Sequence, residues 1–129
     1  MTATIRIGIA GYGNLGRGVE AALAQNPDMT LVGVYTRRAP ADVETVNPDT
    51  PVYPTDALAT NDGSIDVLIL CGGSKDDLPV QSPELASRFN IVDSFDTHAR
   101  IPEHFAAVDA PARAAGTTAL ISAGWDPGM

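Results

Sequence analysis

The sequence predicts an α/β fold built on a mostly parallel sheet. Three observations predict it. A strand-like alternating run passes through a glycine-rich turn into an amphipathic helical stretch at residues 5–24, further apolar runs alternate with helical segments, and the spacing between runs leaves room for crossovers. The 129 residues suit one domain.

Ile5, Ile7 and Ile9 alternate with Arg6, Gly8 and Ala10, the period of a strand whose second face is small because something packs closely there. Gly11-Tyr12-Gly13-Asn14-Leu15-Gly16 follows, and Leu15, Val19 and Leu23 then recur at spacings of four, which predicts a helix with these three on its apolar face. Asn26-Pro27-Asp28 stops it, and residues 31–35 form a second β-rich run. Residues 39–50 hold prolines and acids without an apolar period and are expected to be an exposed loop. Val52 and Tyr53, between Pro51 and Pro54, suit a short edge strand.

Val67-Leu68-Ile69-Leu70 has the continuous apolar character of a buried parallel strand. Pro79 and Pro83 predict a broken helix ending near Phe89, and Ile91-Val92 opens a strand that runs into Asp93-Ser94-Phe95-Asp96. Pro102 suits the first turn of a helix carrying Phe105, Val108, Ala112 and Ala115. Pro111 inside it predicts a kink or two pieces, because an interior proline costs ~3 kcal/mol. Gly116 closes this helix, and residues 118–122 form the last strand. No returning helix follows before Met129, so residues 1–129 are expected to be the N-terminal part of a longer protein.

The eight basic residues against sixteen acidic ones leave a net charge of −8, with no basic and aromatic cluster, which argues against a nucleic-acid partner. An anionic ligand therefore needs local backbone dipoles or a few placed cations. No apolar stretch is long enough to span a membrane, and a cytoplasmic location is expected. Cys71 is the single cysteine and reads as a packing residue rather than a nucleophile. His98 and His104 are six apart, which places them on different helix faces; they read as surface histidines, and no metal site is expected.

Gly11, Gly13 and Gly16 make G-x-G-x-x-G between a strand and a helix, the fingerprint of a Rossmann-type, doubly wound dinucleotide-binding domain. The first glycine permits the tight turn, the second lets backbone N–H groups approach a pyrophosphate, and the third lets helix and strand pack closely. An acid about 20 residues further on would bind a ribose 2′-OH. Thr36-Arg37-Arg38 stands there instead, and two guanidiniums suit a 2′-phosphate, which favours NADP. Cys71-Gly72-Gly73-Ser74 follows the most apolar strand, where ligands lie in such sheets. Asp96 and Asp126 both fall just past strand ends, positions from which carboxylates could hold a substrate ammonium; capping or loop roles explain the spacing equally well.

Together Gly11-Tyr12-Gly13-Asn14-Leu15-Gly16, Thr36-Arg37-Arg38, Cys71-Gly72-Gly73-Ser74, Asp93-Ser94-Phe95-Asp96 and Gly124-Trp125-Asp126-Pro127-Gly128-Met129 resemble the meso-diaminopimelate dehydrogenase family, over its N-terminal part. The resemblance implies an NADP-dependent enzyme, bacterial and homodimeric, of lysine biosynthesis. It would reversibly deaminate the D-centre of meso-2,6-diaminopimelate to L-2-amino-6-oxopimelate and ammonia. It further implies cofactor contacts at Tyr12, Gly13, Asn14, Leu15, Thr36, Arg37, Arg38, Cys71, Gly72, Gly73, Ser74, Ser94, Phe95, Asp96, Ala123, Gly124, Trp125, Asp126 and Pro127. Substrate contacts would fall on Asp96 and Asp126, with Trp125 beside the reacting centre. Two positions depart from the family pattern: Arg100, where the family carries Asp, and Pro111 within its helix. This segment alone is expected to be inactive. The alternatives are another NADP-dependent reductase or dehydrogenase and a non-catalytic NADP-binding module.

Overall fold

In the computed structural model, residues 4–60, 63–73 and 75–123 are described. The chain divides into two compact units, Met1–Cys71 and Gly72–Met129. The first holds β1 (Ile5–Ala10), α1 (Asn14–Ala24), β2 (Met29–Thr36), β3 (Val52–Pro54) and β4 (Val67–Leu70). Its strands run in the order β3-β2-β1-β4, every pairing parallel, as crossover connections require. The second unit holds α2 (Leu78–Ala86), β5 (Ile91–Asp93), α3 (Ile101–Ala115) and β6 (Ala119–Leu120), with β5 and β6 also parallel. This is the Rossmann-type α/β architecture that the sequence predicts.

The alternation of β1 is a packing requirement. Ile7 and Ile9 enter a core with Tyr12, Leu23 and Val34, while a Cβ on Gly8 would stand 3.0 Å from the side chains of Ile65 and Leu68. Arg6, on that second face, pairs with Asp66 through its backbone N–H and its guanidinium. These hydrogen bonds pull the Asp66 carboxyl down to about 2. The proline-flanked edge strand also forms, pairing Val34 with Val52 and Thr36 with Pro54. At Gly33 a Cβ would meet the Tyr53 ring at 2.7 Å, so glycine there lets the edge tyrosine lie over β2.

Three helical expectations are corrected. On α1 the buried residues are Gly16, Glu20 and Leu23, while Leu15 is 47% exposed. The close approach of Gly16 to the turn sets the buried face, and that approach turns Leu15 outward. On α3 the buried residues are His104, Val108 and Ala112, so His104 lies in the interior and Phe105 at its surface, 59% exposed. Nor do the prolines break their helices: α2 runs through Pro83 and α3 through Pro111. Val108 and Ala112 are buried on both sides of Pro111, and this anchoring outweighs the single ladder bond that the proline removes. Gly116, at φ 74°, ends α3 in the left-handed conformation expected of a C-terminal glycine.

The last strand is shorter than residues 118–122. It keeps only Ala119 and Leu120, because the Ser122 N–H turns to the Asp93 carboxylate at 2.8 Å. Among the described residues, no helix is long and apolar enough to cross a membrane, and no group of three or more His, Cys, Asp or Glu is placed to hold a metal ion.

Candidate nucleotide-binding site

In the first unit the glycine turn is built from backbone constraints. Gly11 adopts φ 91°, a conformation side chains resist, and its N–H donates to the Tyr35 carbonyl at 2.9 Å, tying the turn to β2. A Cβ on Gly16 would lie 2.7 Å from the Gly11 carbonyl oxygen, whereas one on Gly13 would meet nothing within 4 Å. The third glycine thus serves helix packing, and the second keeps space open over the backbone. Helix α1 starts at Asn14 with no side-chain cap and no acid in its first turn. Its first N–H groups and the positive end of its dipole are left for an anion.

These two glycines should therefore respond differently to alanine. Gly16→Ala drives a methyl against backbone oxygen and is expected to cost about 1–3 kcal/mol in urea unfolding. Gly13→Ala should stay within about 0.5 kcal/mol of the parent. Equal losses for the two would contradict this division of labour.

Thr36 is buried at the end of β2, and its hydroxyl accepts the Arg38 N–H at 3.1 Å. The Arg38 guanidinium donates to the Tyr12 carbonyl at 2.6 Å, which brings it onto the glycine turn. Arg37, next to it, is exposed. Cys71 donates its N–H to the Ala10 carbonyl at 2.7 Å, and burial pushes its thiol up to about 12. This suits the packing role expected of it and leaves no thiolate at neutral pH.

The Tyr12 side chain faces inward. Its hydroxyl donates to the buried carboxylate of Glu20, and the Arg17 guanidinium lies 5.8 Å from its ring centroid. Only the backbone of Tyr12 therefore serves the turn. Glu20 also accepts the N–H of Val46 and Asn47, each at 3.0 Å, and the Thr50 hydroxyl at 2.6 Å. It thereby ties the polar loop after β2 to α1. The sequence reading missed Glu20; the available signal was its place four residues after Gly16. A cavity of about 370 Å³ lined by Leu23, Asn26, Met29 and Asp49 lies by the far end of α1, away from the turn.

In the second unit Gly72 and Gly73 lead into α2. The Gly73 N–H donates to Asp77 at 3.0 Å, and a Cβ on Gly72 would approach that of Asp77 to 2.8 Å. Gly72 thus has a packing reason of its own. Ser94 is half-buried, Phe95 buried and Asp96 exposed. The Asp93 carboxylate accepts the Phe95 N–H at 3.1 Å, while its carbonyl accepts the Ala123 N–H at 2.9 Å, so the loops after β5 and β6 meet at one residue. His104 stacks on Phe95 with centroids 4.0 Å apart and planes 7° apart. His98 is exposed, as expected. Ser74, Gly124, Trp125, Asp126 and Pro127 lie outside the described residues.

The first unit therefore gathers Gly11, Gly13, Gly16, Thr36, Arg38 and Cys71, and the second gathers Ser94, Phe95 and Ala123 around Asp93. Neither Asp93 nor His104 was singled out from sequence as a site residue. An acid closing an apolar strand was the signal for the first. For the second it was a histidine spaced four residues before Val108, on the helix face that turns inward.

No protein-family profile matches the chain. It is 58% identical over 127 residues to the meso-diaminopimelate D-dehydrogenase of Lysinibacillus sphaericus, a match covering 98% of this chain and 39% of that protein. An engineered D-amino acid dehydrogenase bound to NADP+ superposes with a TM-score of 0.88 at 45% identity, over 97% of this chain and 38% of its own. C. glutamicum DAP dehydrogenase in complex with DAP gives a TM-score of 0.88 at 44% identity, over 98% and 38%. Along nearly all its length the chain is thus a relative of the meso-diaminopimelate D-dehydrogenases, and it spans about two-fifths of the length of the curated relatives it matches.

Proposed function

We propose that residues 1–129 are the NADP-binding domain of a meso-diaminopimelate D-dehydrogenase. In this reading the whole enzyme is a cytoplasmic homodimer. It reversibly converts the D-configured centre of meso-2,6-diaminopimelate to the 6-oxo group of L-2-amino-6-oxopimelate, with release of ammonia. The observation that carries the reading is the likeness along almost the whole chain to proteins of that activity.

The residues present fit the cofactor's phosphate end. Gly13 leaves room that a Cβ would take, α1 begins uncapped, and Arg38 is seated on the turn. The turn from Gly11 to Gly16, with Tyr12, Asn14 and Leu15, would hold the pyrophosphate, and Thr36, Arg37 and Arg38 the 2′-phosphate end. The reading gives Cys71, Gly72, Gly73, Ser74, Ser94, Phe95, Ala123, Gly124 and Pro127 to the remaining cofactor contacts. Bound NADP+ would accept the hydride leaving the D-configured carbon.

The chain's own residues supply orientation and proton handling. Asp96 and Asp126 would hold the substrate amine and take its proton, so that the nitrogen lone pair forms the iminium as hydride departs. Water then adds to the iminium carbon and ammonia leaves. Trp125 would stand beside the reacting carbon and limit its approach to one face.

The test is Asp126→Asn in the whole enzyme, followed by diaminopimelate-dependent formation of NADPH. Turnover is expected to fall about 100-fold, the scale of a lost acid–base group, with NADP+ affinity unchanged. Parental kinetics in this variant would remove Asp126 from the chemistry. A parent enzyme inert toward diaminopimelate would instead favour the non-catalytic module or another dehydrogenase.

A further inference from the structure

Asp93 closes β5 at 1% exposure, and both oxygens of its carboxylate are engaged twice. Oδ1 accepts the N–H groups of Phe95 at 3.1 Å and Ser122 at 2.8 Å. Oδ2 accepts the Ser82 hydroxyl at 2.6 Å and meets His104 Nε2 at 2.7 Å. A carboxylate only accepts, so His104 donates from Nε2. One side chain thus joins α2, α3 and the loops that follow β5 and β6.

Those two loops matter for the chemistry. Phe95 immediately precedes Asp96, and Ala123, bound to the Asp93 carbonyl at 2.9 Å, stands three residues before Asp126. Ser122 holds φ 57°, a left-handed conformation that a non-glycine residue keeps only when its surroundings fix it. Its bond to Asp93 supplies that restraint. Phe95 is fixed from two sides, by the carboxylate at its N–H and by the His104 ring on its face. An apolar residue at 93 would fill the volume and leave these donors unanswered.

We infer that Asp93, itself held by Ser82 and His104, is a positioning residue for the deamination: without touching substrate it fixes the loop carrying Asp96 and, at Ser122 and Ala123, the last described residues before Asp126 in the sequence. The inference rests on the proposed assignment of those two carboxylates to the substrate amine. Misplacing reacting groups by about 1 Å costs on the order of 100-fold in rate, so the consequence belongs in kcat.

Three variants of the whole enzyme separate this from a merely structural role. Asp93→Asn removes the charged acceptor, His104→Phe keeps a ring on Phe95 but loses the donor, and His104→Gln restores a donor near Nε2. The first two are expected to lower kcat for diaminopimelate oxidation about 10–100-fold with KM for NADP+ within about twofold, and His104→Gln to recover most of the loss. Lower thermal stability with unchanged kcat would overturn the inference. In the 129-residue chain, Asp93→Val, which removes the Oδ1 acceptor, should speed hydrogen exchange at both Phe95 and Ser122 by about tenfold or more while β1 and β4 amides keep their rates. Unchanged exchange at either loop would also overturn it. Should the parent enzyme fail to oxidise diaminopimelate, the functional reading falls, and the exchange measurement still decides whether Asp93 holds the loops.

Discussion

Replacing Arg37 and Arg38 together with alanine is expected to weaken NADP binding by about 100- to 10,000-fold and to weaken NAD binding far less. Each charge-assisted bond to a phosphate contributes roughly 1.5–3 kcal/mol, and about 1.4 kcal/mol is a factor of ten. The two single variants should differ. Arg37 is exposed beside Arg38, and Arg37→Ala should lower NADP affinity. The Arg38 guanidinium also donates to the Tyr12 carbonyl at 2.6 Å, whereas the bond to the Thr36 hydroxyl at 3.1 Å comes from the backbone N–H, which alanine keeps. Its side chain therefore steadies the turn that both cofactors would use, and Arg38→Ala should cost some NAD affinity as well. Titration calorimetry with both cofactors on the three variants checks this. Equal losses of NADP and NAD affinity in the double variant would remove the 2′-phosphate assignment.

What was legible in the sequence was local. The alternation of β1, the glycine spacing of the turn, the proline-flanked edge strand and the C-terminal glycine of α3 each follow from residues a few positions apart, and each forms. The helix faces were less legible. Leu15 and Phe105 are the larger apolar choices in their helices, yet Gly16 and His104 are buried in their neighbourhood. In both helices a partner outside the helix decides: the Gly11 carbonyl oxygen that admits no Cβ at Gly16, and the Asp93 carboxylate that accepts the His104 Nε2–H hydrogen bond. The same limit hid the two buried carboxylates. Glu20 and Asp93 look like surface acids until the donors that meet them are assembled from segments up to 30 and 29 residues away. The cofactor turn was readable because its chemistry is backbone and contiguous, and the positioning groups were not because theirs is long-range.

Glu20→Gln is expected to lower the stability of the chain by about 1–3 kcal/mol, the penalty for leaving buried donors unsatisfied. The native carboxylate receives the hydroxyls of Tyr12 and Thr50 and the N–H groups of Val46 and Asn47. A glutamine offers one oxygen and turns its NH2 toward the remaining donors. The hydroxyls can rotate, but the Asn47 N–H cannot. Burial opposes ionisation of Glu20, yet the hydrogen bonds from Thr50, Tyr12, Asn47 and Val46 together hold its carboxyl below the ordinary range. A depressed folded pKa gives stability that is fully present above the unfolded value of about 4.3 and is lost as pH falls through the folded one. Glutamine imitates the protonated acid, so the gap between parent and variant in urea unfolding should be widest near neutral pH and narrow steadily below about pH 4. Asp66, whose carboxyl sits at about 2, titrates in the same direction in both proteins and cancels from the comparison. A gap that stays constant with pH would assign the effect to packing instead of charge. The same variant loosens the ring of Tyr12, whose carbonyl seats Arg38. It should therefore also weaken NADP binding, by less than loss of the arginines themselves, and link a buried acid on α1 to the cofactor turn through the Tyr12 side chain.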